Sequence, residues 1–195
     1  KTCDIWAINK DNPELRKKEV TLKEFERFCE VNPHILWMCL TGGEPYLKKD
    51  LKGFLDACCT IPSLRLISIS TNGSVPDKIE DDVRHFLKNS RKDITLATQV
   101  SFEGPEELHD EISGTKGSFK RALESLSRLE KLAKEDSRVR SGAAFTLTHF
   151  SQGNLIPTLR ALGGSCPPAK QVQMGFGQEA DYYHWKEYRR VVPDT

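Results

Sequence analysis

The sequence predicts an α/β fold: a parallel sheet with crossover helices, of the partial (β/α)6 TIM-like barrel type. Three observations lead there. Five short apolar runs have the length of buried strands, segments of helical period lie between them, and turn-forming residues close most of the runs. Thr21 and Glu24 have capping-box spacing, and Leu22, Phe25, Phe28 and Cys29 then recur at helical period, so a short amphipathic helix opens the series. Ile35 to Leu40 is the first strand, bounded by Pro33 and by Thr41-Gly42-Gly43. A helix over Lys49 to Cys59 aligns Leu51, Phe54, Leu55 and Cys58, and a second strand, Leu64 to Ser70, is stopped by Asn72-Gly73.

Pro76 suits the first turn of the next helix, which turns Ile79, Val83, Phe86 and Leu87 inward. Ile94 to Phe102 is the third strand and Glu103-Gly104-Pro105 its terminator. The longest helix is expected from Lys116 to Lys134, with Phe119, Ala122, Leu123, Leu126, Leu129 and Ala133 three or four apart. Gly142 to His149 is the fourth strand, Asn154 to Leu162 a helix with Pro157 near its start, and Gln171 to Phe176 the fifth strand. Parallel α/β folds collect ligands at the carboxyl ends of their strands. Five segments should therefore converge: Thr41 to Pro45, Ser70 to Gly73, Val100 to Gly104, Thr146 to His149 and Met174 to Gly177.

The 195 residues are 37% hydrophobic and 29% charged, enough apolar material for one core and no stretch of membrane-spanning length. Lysine and arginine number 29 against 28 acidic residues, and a net charge of +1 creates no demand for nucleic acid or anionic lipid. A small-molecule or peptide substrate suits that balance. Six cysteines leave metal chemistry, core packing and disulfides open, but a core that needs no staples points to a reduced, cytoplasmic setting. The chain begins without methionine or a signal-like apolar segment, which suggests further sequence upstream. Residues 178–195 leave the α/β pattern, with Tyr182, Tyr183, Trp185 and Tyr188 among Lys186, Arg189 and Arg190, and are expected to extend the core of residues 1–177 or link it to a further domain.

Gly42-Gly43-Glu44-Pro45 directly follows a strand, where glycines let a ligand approach the backbone and Glu44 offers an acceptor for an ammonium group. The same residues also suit a tight strand-to-helix turn. Thr71 and Ser101 are strand-end hydroxyls, and Glu103 is a carboxylate able to bridge two hydroxyl groups. Thr148 is a further contact candidate at the fourth strand end. The phosphate-loop, nucleophile-elbow and H-E-x-x-H patterns are absent. Read on residues alone, an enzyme core and a noncatalytic α/β binding or interaction module both fit.

Taken in order, Lys1-Thr2-Cys3-Asp4-Ile5-Trp6, Leu40-Thr41-Gly42-Gly43-Glu44-Pro45, Ser70-Thr71-Asn72-Gly73, Val100-Ser101-Phe102-Glu103-Gly104, Leu108-His109-Asp110-Glu111-Ile112 and Gly117-Ser118-Phe119 resemble the radical S-adenosylmethionine superfamily, over about residues 1 to 164. The resemblance implies a [4Fe-4S] cluster bound by C-x-x-x-C-x-x-C, with Cys3 as its third cysteine and the other two upstream. It also implies S-adenosylmethionine held by Gly42, Gly43, Glu44, Pro45, Thr71, Ser101, Glu103 and Thr148. The implied activity is reductive cleavage of S-adenosylmethionine to a 5′-deoxyadenosyl radical, with an electron donor such as flavodoxin or ferredoxin and a substrate left open. Two features depart from the family: Thr2 stands where many members have an aromatic residue, and Met174-Gly175-Phe176-Gly177 is an indistinct match to the last-strand motif.

Overall fold

Every strand of the computed structural model, which describes residues 14, 19–163 and 172–176, runs parallel to its neighbours. The sheet follows chain order, with β1 (Trp37–Leu40), β2 (Leu66–Thr71), β3 (Thr95–Phe102), β4 (Val139–Leu147) and β5 (Val172–Phe176) side by side. Connecting or flanking them are α1 (Leu22–Val31), α2 (Leu51–Cys59), α3 (Pro76–Asn89), α4 (Glu106–Ser113), α5 (Ser118–Glu135) and α6 (Leu155–Leu162). The expected capping box forms: the Thr21 hydroxyl accepts from the Glu24 N–H at 3.3 Å and the Glu24 carboxylate accepts from the Thr21 N–H at 2.8 Å. No described helix is long and apolar enough to cross a membrane.

Side-chain alternation divides the sheet into two unlike faces. Ile67, Ile69, Leu96, Val100 and Phe102 are buried with Val83 and Phe86 of α3 and Leu126 and Leu129 of α5 in one core. The opposite face carries Ser68, Ser70, Ala97, Gln99, Ser101, Arg140 and Ala144, which remain partly or largely exposed. Among the described residues, helices thus cover one side, and a polar side is left.

The fourth strand starts at Val139, three residues before the expected Gly142, because Arg140 on the polar face interrupts the apolar run without interrupting the ladder. It also ends two residues before His149. The Thr148 N–H donates to Ser151 Oγ at 2.9 Å and the Ser151 N–H to Thr148 Oγ1 at 3.2 Å, a hydroxyl-closed turn that takes the chain out of the strand. Helix α4 was not foreseen from its periodicity. It follows Pro105 directly and stops at Gly114, whose φ of +69° is left-handed.

Cys29 and Cys58 are buried in the core, Cys59 is partly buried and Cys39 exposed, and all four are free thiols. Among the described cysteines, core packing therefore accounts for two and disulfides for none. Cys3, Trp6, Cys166, Gly177 and residues 178–195 lie outside the described residues.

Gly73 shows how tightly the second strand end is held. Its φ is +69°, a Cβ there would stand 2.7 Å from Ala122 Cα, and its carbonyl accepts from Ser125 Oγ at 2.7 Å. Gly73→Ala adds left-handed backbone strain to overpacking against helix α5, and is expected to destabilise the fold by about 2–4 kcal/mol. Urea unfolding of the two proteins measures the difference.

Candidate functional site at the strand-end rim

Parallel pairing brings the carboxyl ends of the strands to one edge, with Thr71 beside Val100 and Phe102 beside Phe145 in register. At the end of β1 the chain passes through exposed Thr41, Gly42 and Gly43. Gly42 has a φ of +150° and nothing within 4 Å of where its Cβ would be, so a ligand can approach its peptide groups directly. Pro45 then opens a single 3-10 turn, Pro45–Leu47, with Glu44 at its N-cap.

Glu44 ties the first two strand ends together. Its Oε1 accepts from the Tyr46 N–H at 3.1 Å and the Thr71 hydroxyl at 2.7 Å, while Oε2 accepts from the Asn72 N–H at 2.7 Å. Three donors on a group with about four lone-pair sites leave one acceptor position on Oε2. Burial raises the Glu44 pKa above its ordinary value, and the hydrogen bonds from Asn72, Thr71 and Tyr46 oppose that rise. Thr71 is 2% exposed, and its oxygen also accepts from the Gly73 N–H at 3.0 Å. Thr71 therefore orients Glu44 and the turn from inside the protein.

Tyr46 anchors this loop from below, a role that the sequence reading did not assign. The ring is fully buried and its hydroxyl lies 2.9 Å from Thr98 Oγ1 on the helix-covered face of β3. Burial pushes the phenol pKa up, so the group stays neutral. An aromatic residue directly after the Gly-Gly-Glu-Pro run was the available signal.

At the end of β3, Ser101 is half-buried on the polar face beside Ala144. Glu103 is held differently. Its Oε2 is buried and has no hydrogen-bond partner among the described residues, and desolvation pushes its pKa up to about 7. The Glu103 N–H donates to His109 Nδ1 at 3.2 Å, which leaves the proton of the neutral ring on Nε2. His109 is 3% exposed between Phe102 and Phe119, with ring centroids 5.9 and 5.7 Å away, and burial lowers its pKa. Asp110 next to it caps helix α5: Oδ1 accepts from the Phe119 N–H at 2.9 Å and the Ser118 hydroxyl at 2.9 Å, and Oδ2 accepts from the Gly117 N–H. Those bonds, led by the one from Phe119, hold its pKa at about 2. Both residues organise the rim itself.

The structure thus joins Glu44 to Thr71 directly and sets Ser101 and Glu103 on the neighbouring strand end. Thr148 is 1% exposed and bonded within its own turn. Cys3 lies outside the described residues. Among those residues, no three histidine, cysteine or acidic side chains group as a metal site.

The radical SAM superfamily model matches residues 1–143. The chain is also similar in fold to a solved structure described as hexahistidine-tagged anSMEcpe with bound AdoMet, with a TM-score of 0.56 and 16% sequence identity over 80% of this chain. It spans 42% of the length of that protein. No curated protein matches it.

Glu103 gives a pH signature. A carboxyl whose pKa rises from 4.5 unfolded to about 7 folded contributes its full share of stability below pH 4.5, and that share is lost as pH rises through 7. Wild-type stability relative to Glu103→Gln is expected to fall between pH 4.5 and 7, as followed by denaturant melts at half-unit steps. A difference that stays flat across this window contradicts the buried, unpartnered carboxyl.

Proposed function

Because the chain belongs to the radical SAM superfamily, we propose that it is the catalytic core of an enzyme that binds S-adenosylmethionine across the ends of β1, β2 and β3 beside a [4Fe-4S] cluster, in a cytoplasmic setting. The observation that carries this reading is the pairing on one rim of a tethered carboxylate with one open acceptor position and a second, buried carboxyl oxygen with no described partner. An amino acid joined to a nucleoside presents the matching groups: an ammonium for Glu44 and ribose hydroxyls for Glu103.

When bound, the cluster and S-adenosylmethionine would supply one-electron reductive cleavage and hydrogen-atom abstraction, with the electron from a donor such as flavodoxin or ferredoxin. The chain's own residues position that cofactor. Gly42 and Gly43 leave backbone groups open to the methionyl end, and Glu44 accepts from its ammonium. Thr71 and the Asn72 N–H keep Glu44 in one orientation, and Tyr46 fixes the loop beneath it. Ser101 and Glu103 meet the ribose, where a carboxyl with a pKa of about 7 can accept or donate to a hydroxyl at neutral pH. Thr148 shapes the fourth strand end. Cys3, as the family resemblance implies, would be a ligand of the cluster.

Glu44→Gln keeps the side-chain volume and loses the charge. In full-length protein reconstituted anaerobically, it is expected to bind S-adenosylmethionine about tenfold more weakly, the low end of a charge-assisted hydrogen bond of about 1.5–3 kcal/mol, with iron content unchanged. Titration calorimetry beside iron analysis checks it, and unchanged affinity removes Glu44 from the cofactor site. Cys3→Ser is expected to lose iron.

A further inference from the structure

The polar face of the sheet holds a cleft of about 360 Å³ that the cofactor reading does not use, lined by Ala97, Gln99, Arg140, Gly142 and Gln173 among others. Its construction follows from register. Ala97 pairs with Arg140, Gln99 with Gly142 and Ala144 with Gln173, so small residues stand beside the long polar ones and leave room above the sheet. The Arg140 side chain has neither a hydrogen bond nor an ion pair among the described residues. Arg138, in the turn just before β4, is 8% exposed and is bonded to Asp136, Ser90 and the Leu87 carbonyl. The arginine before the strand is held within the fold, and the one on the strand lines the cleft.

We propose that this cleft binds the carboxylate end of the substrate, with the Arg140 guanidinium as its charged partner and the side-chain amides of Gln99 and Gln173 as neutral donors. This rests on the cofactor lying at the strand-end rim. A guanidinium fork matches a planar carboxylate. A single cation flanked by neutral amides suits one negative charge better than the two of a phosphate. From Arg140 to Ala144, which pairs with Ser101, is four residues along β4, about 13 Å at the usual rise of a strand. A substrate anchored at Arg140 therefore presents to the cofactor a position on the order of 10 Å from its carboxylate, the span of about three extended peptide residues. The substrate class is an elongated carboxylic acid, such as a short peptide with a free C-terminus.

The test uses full-length protein and three probes: a mixture of N-acetylated tripeptides with free C-termini, the same mixture as C-terminal amides, and inorganic phosphate. Saturation-transfer NMR is expected to show the free acids bound, the amides at least tenfold weaker, and no displacement by equimolar phosphate. Arg140→Met should lose the acids at least tenfold, whereas Arg140→Lys, which keeps the charge and guards against a folding artefact, should lose less. S-adenosylmethionine affinity, measured in parallel, should be unchanged in both variants. Equal binding of acids and amides, displacement by phosphate, or full binding by a folded Arg140→Met protein overturns the assignment. Failure of wild type to bind S-adenosylmethionine overturns the cofactor reading on which it rests.

Discussion

The Glu44 carboxylate is the contact on which the rim depends. Two strands of a parallel sheet are joined by their ladder only as far as the last paired residues, Leu40 with Ile69 in this case. Beyond that point the loops have no regular partner and need side chains to set their path. Glu44 supplies it by taking donors from three places: its own turn, the Thr71 side chain and the Asn72 backbone. Hydrogen bonds to a charged group contribute about 1.5–3 kcal/mol each, so this clasp is strong relative to an ordinary loop contact. Its hydrogen bonds also oppose the rise in pKa that burial imposes on the carboxyl.

Around the clasp, the two faces of the sheet divide the work. The helix-covered face supplies rigidity: Tyr46 reaches through to Thr98, Ser125 of α5 holds the Gly73 carbonyl, and the Phe102–His109–Phe119 cluster holds the peptide that carries Glu103. Each strand-end loop is thereby anchored from beneath to the same core. The polar face supplies access, since Ser70, Gln99, Ser101 and Arg140 project from strands whose alternate residues are fixed in that core. A site built this way is preorganised, because its groups stand on strands and on loops tied to them.

Most of this organisation was legible in the amino-acid sequence, for reasons that differ between elements. Strands such as Leu66–Thr71 and Thr95–Phe102 stood out because they join helix-facing apolar residues to small polar ones and are closed by glycine or by an acidic-glycine-proline turn. Helix α4 was not, since its eight residues bury only His109 and Ile112 and a proline marks its start. The beginning of β4 was hidden by Arg140, a charged residue placed on the open face of a strand. In the site, the residue types at Glu44, Thr71 and Glu103 could be singled out, yet their arrangement could not. That Thr71 faces Glu44, and that His109 takes the Glu103 N–H, depends on register and packing between segments far apart in the chain.

Hydrogen–deuterium exchange with and without S-adenosylmethionine, on cluster-loaded full-length protein, tests the central claim that one rim of the parallel sheet is the cofactor site. Protection on binding is expected in residues 41–46, 71–74 and 101–104, at the carboxyl ends of three neighbouring strands. The amino ends of the same strands, near residues 35–37, 64–66 and 93–95, should exchange as before. Protection confined to those opposite ends, with the Gly42–Glu44 loop unaffected, would contradict the account.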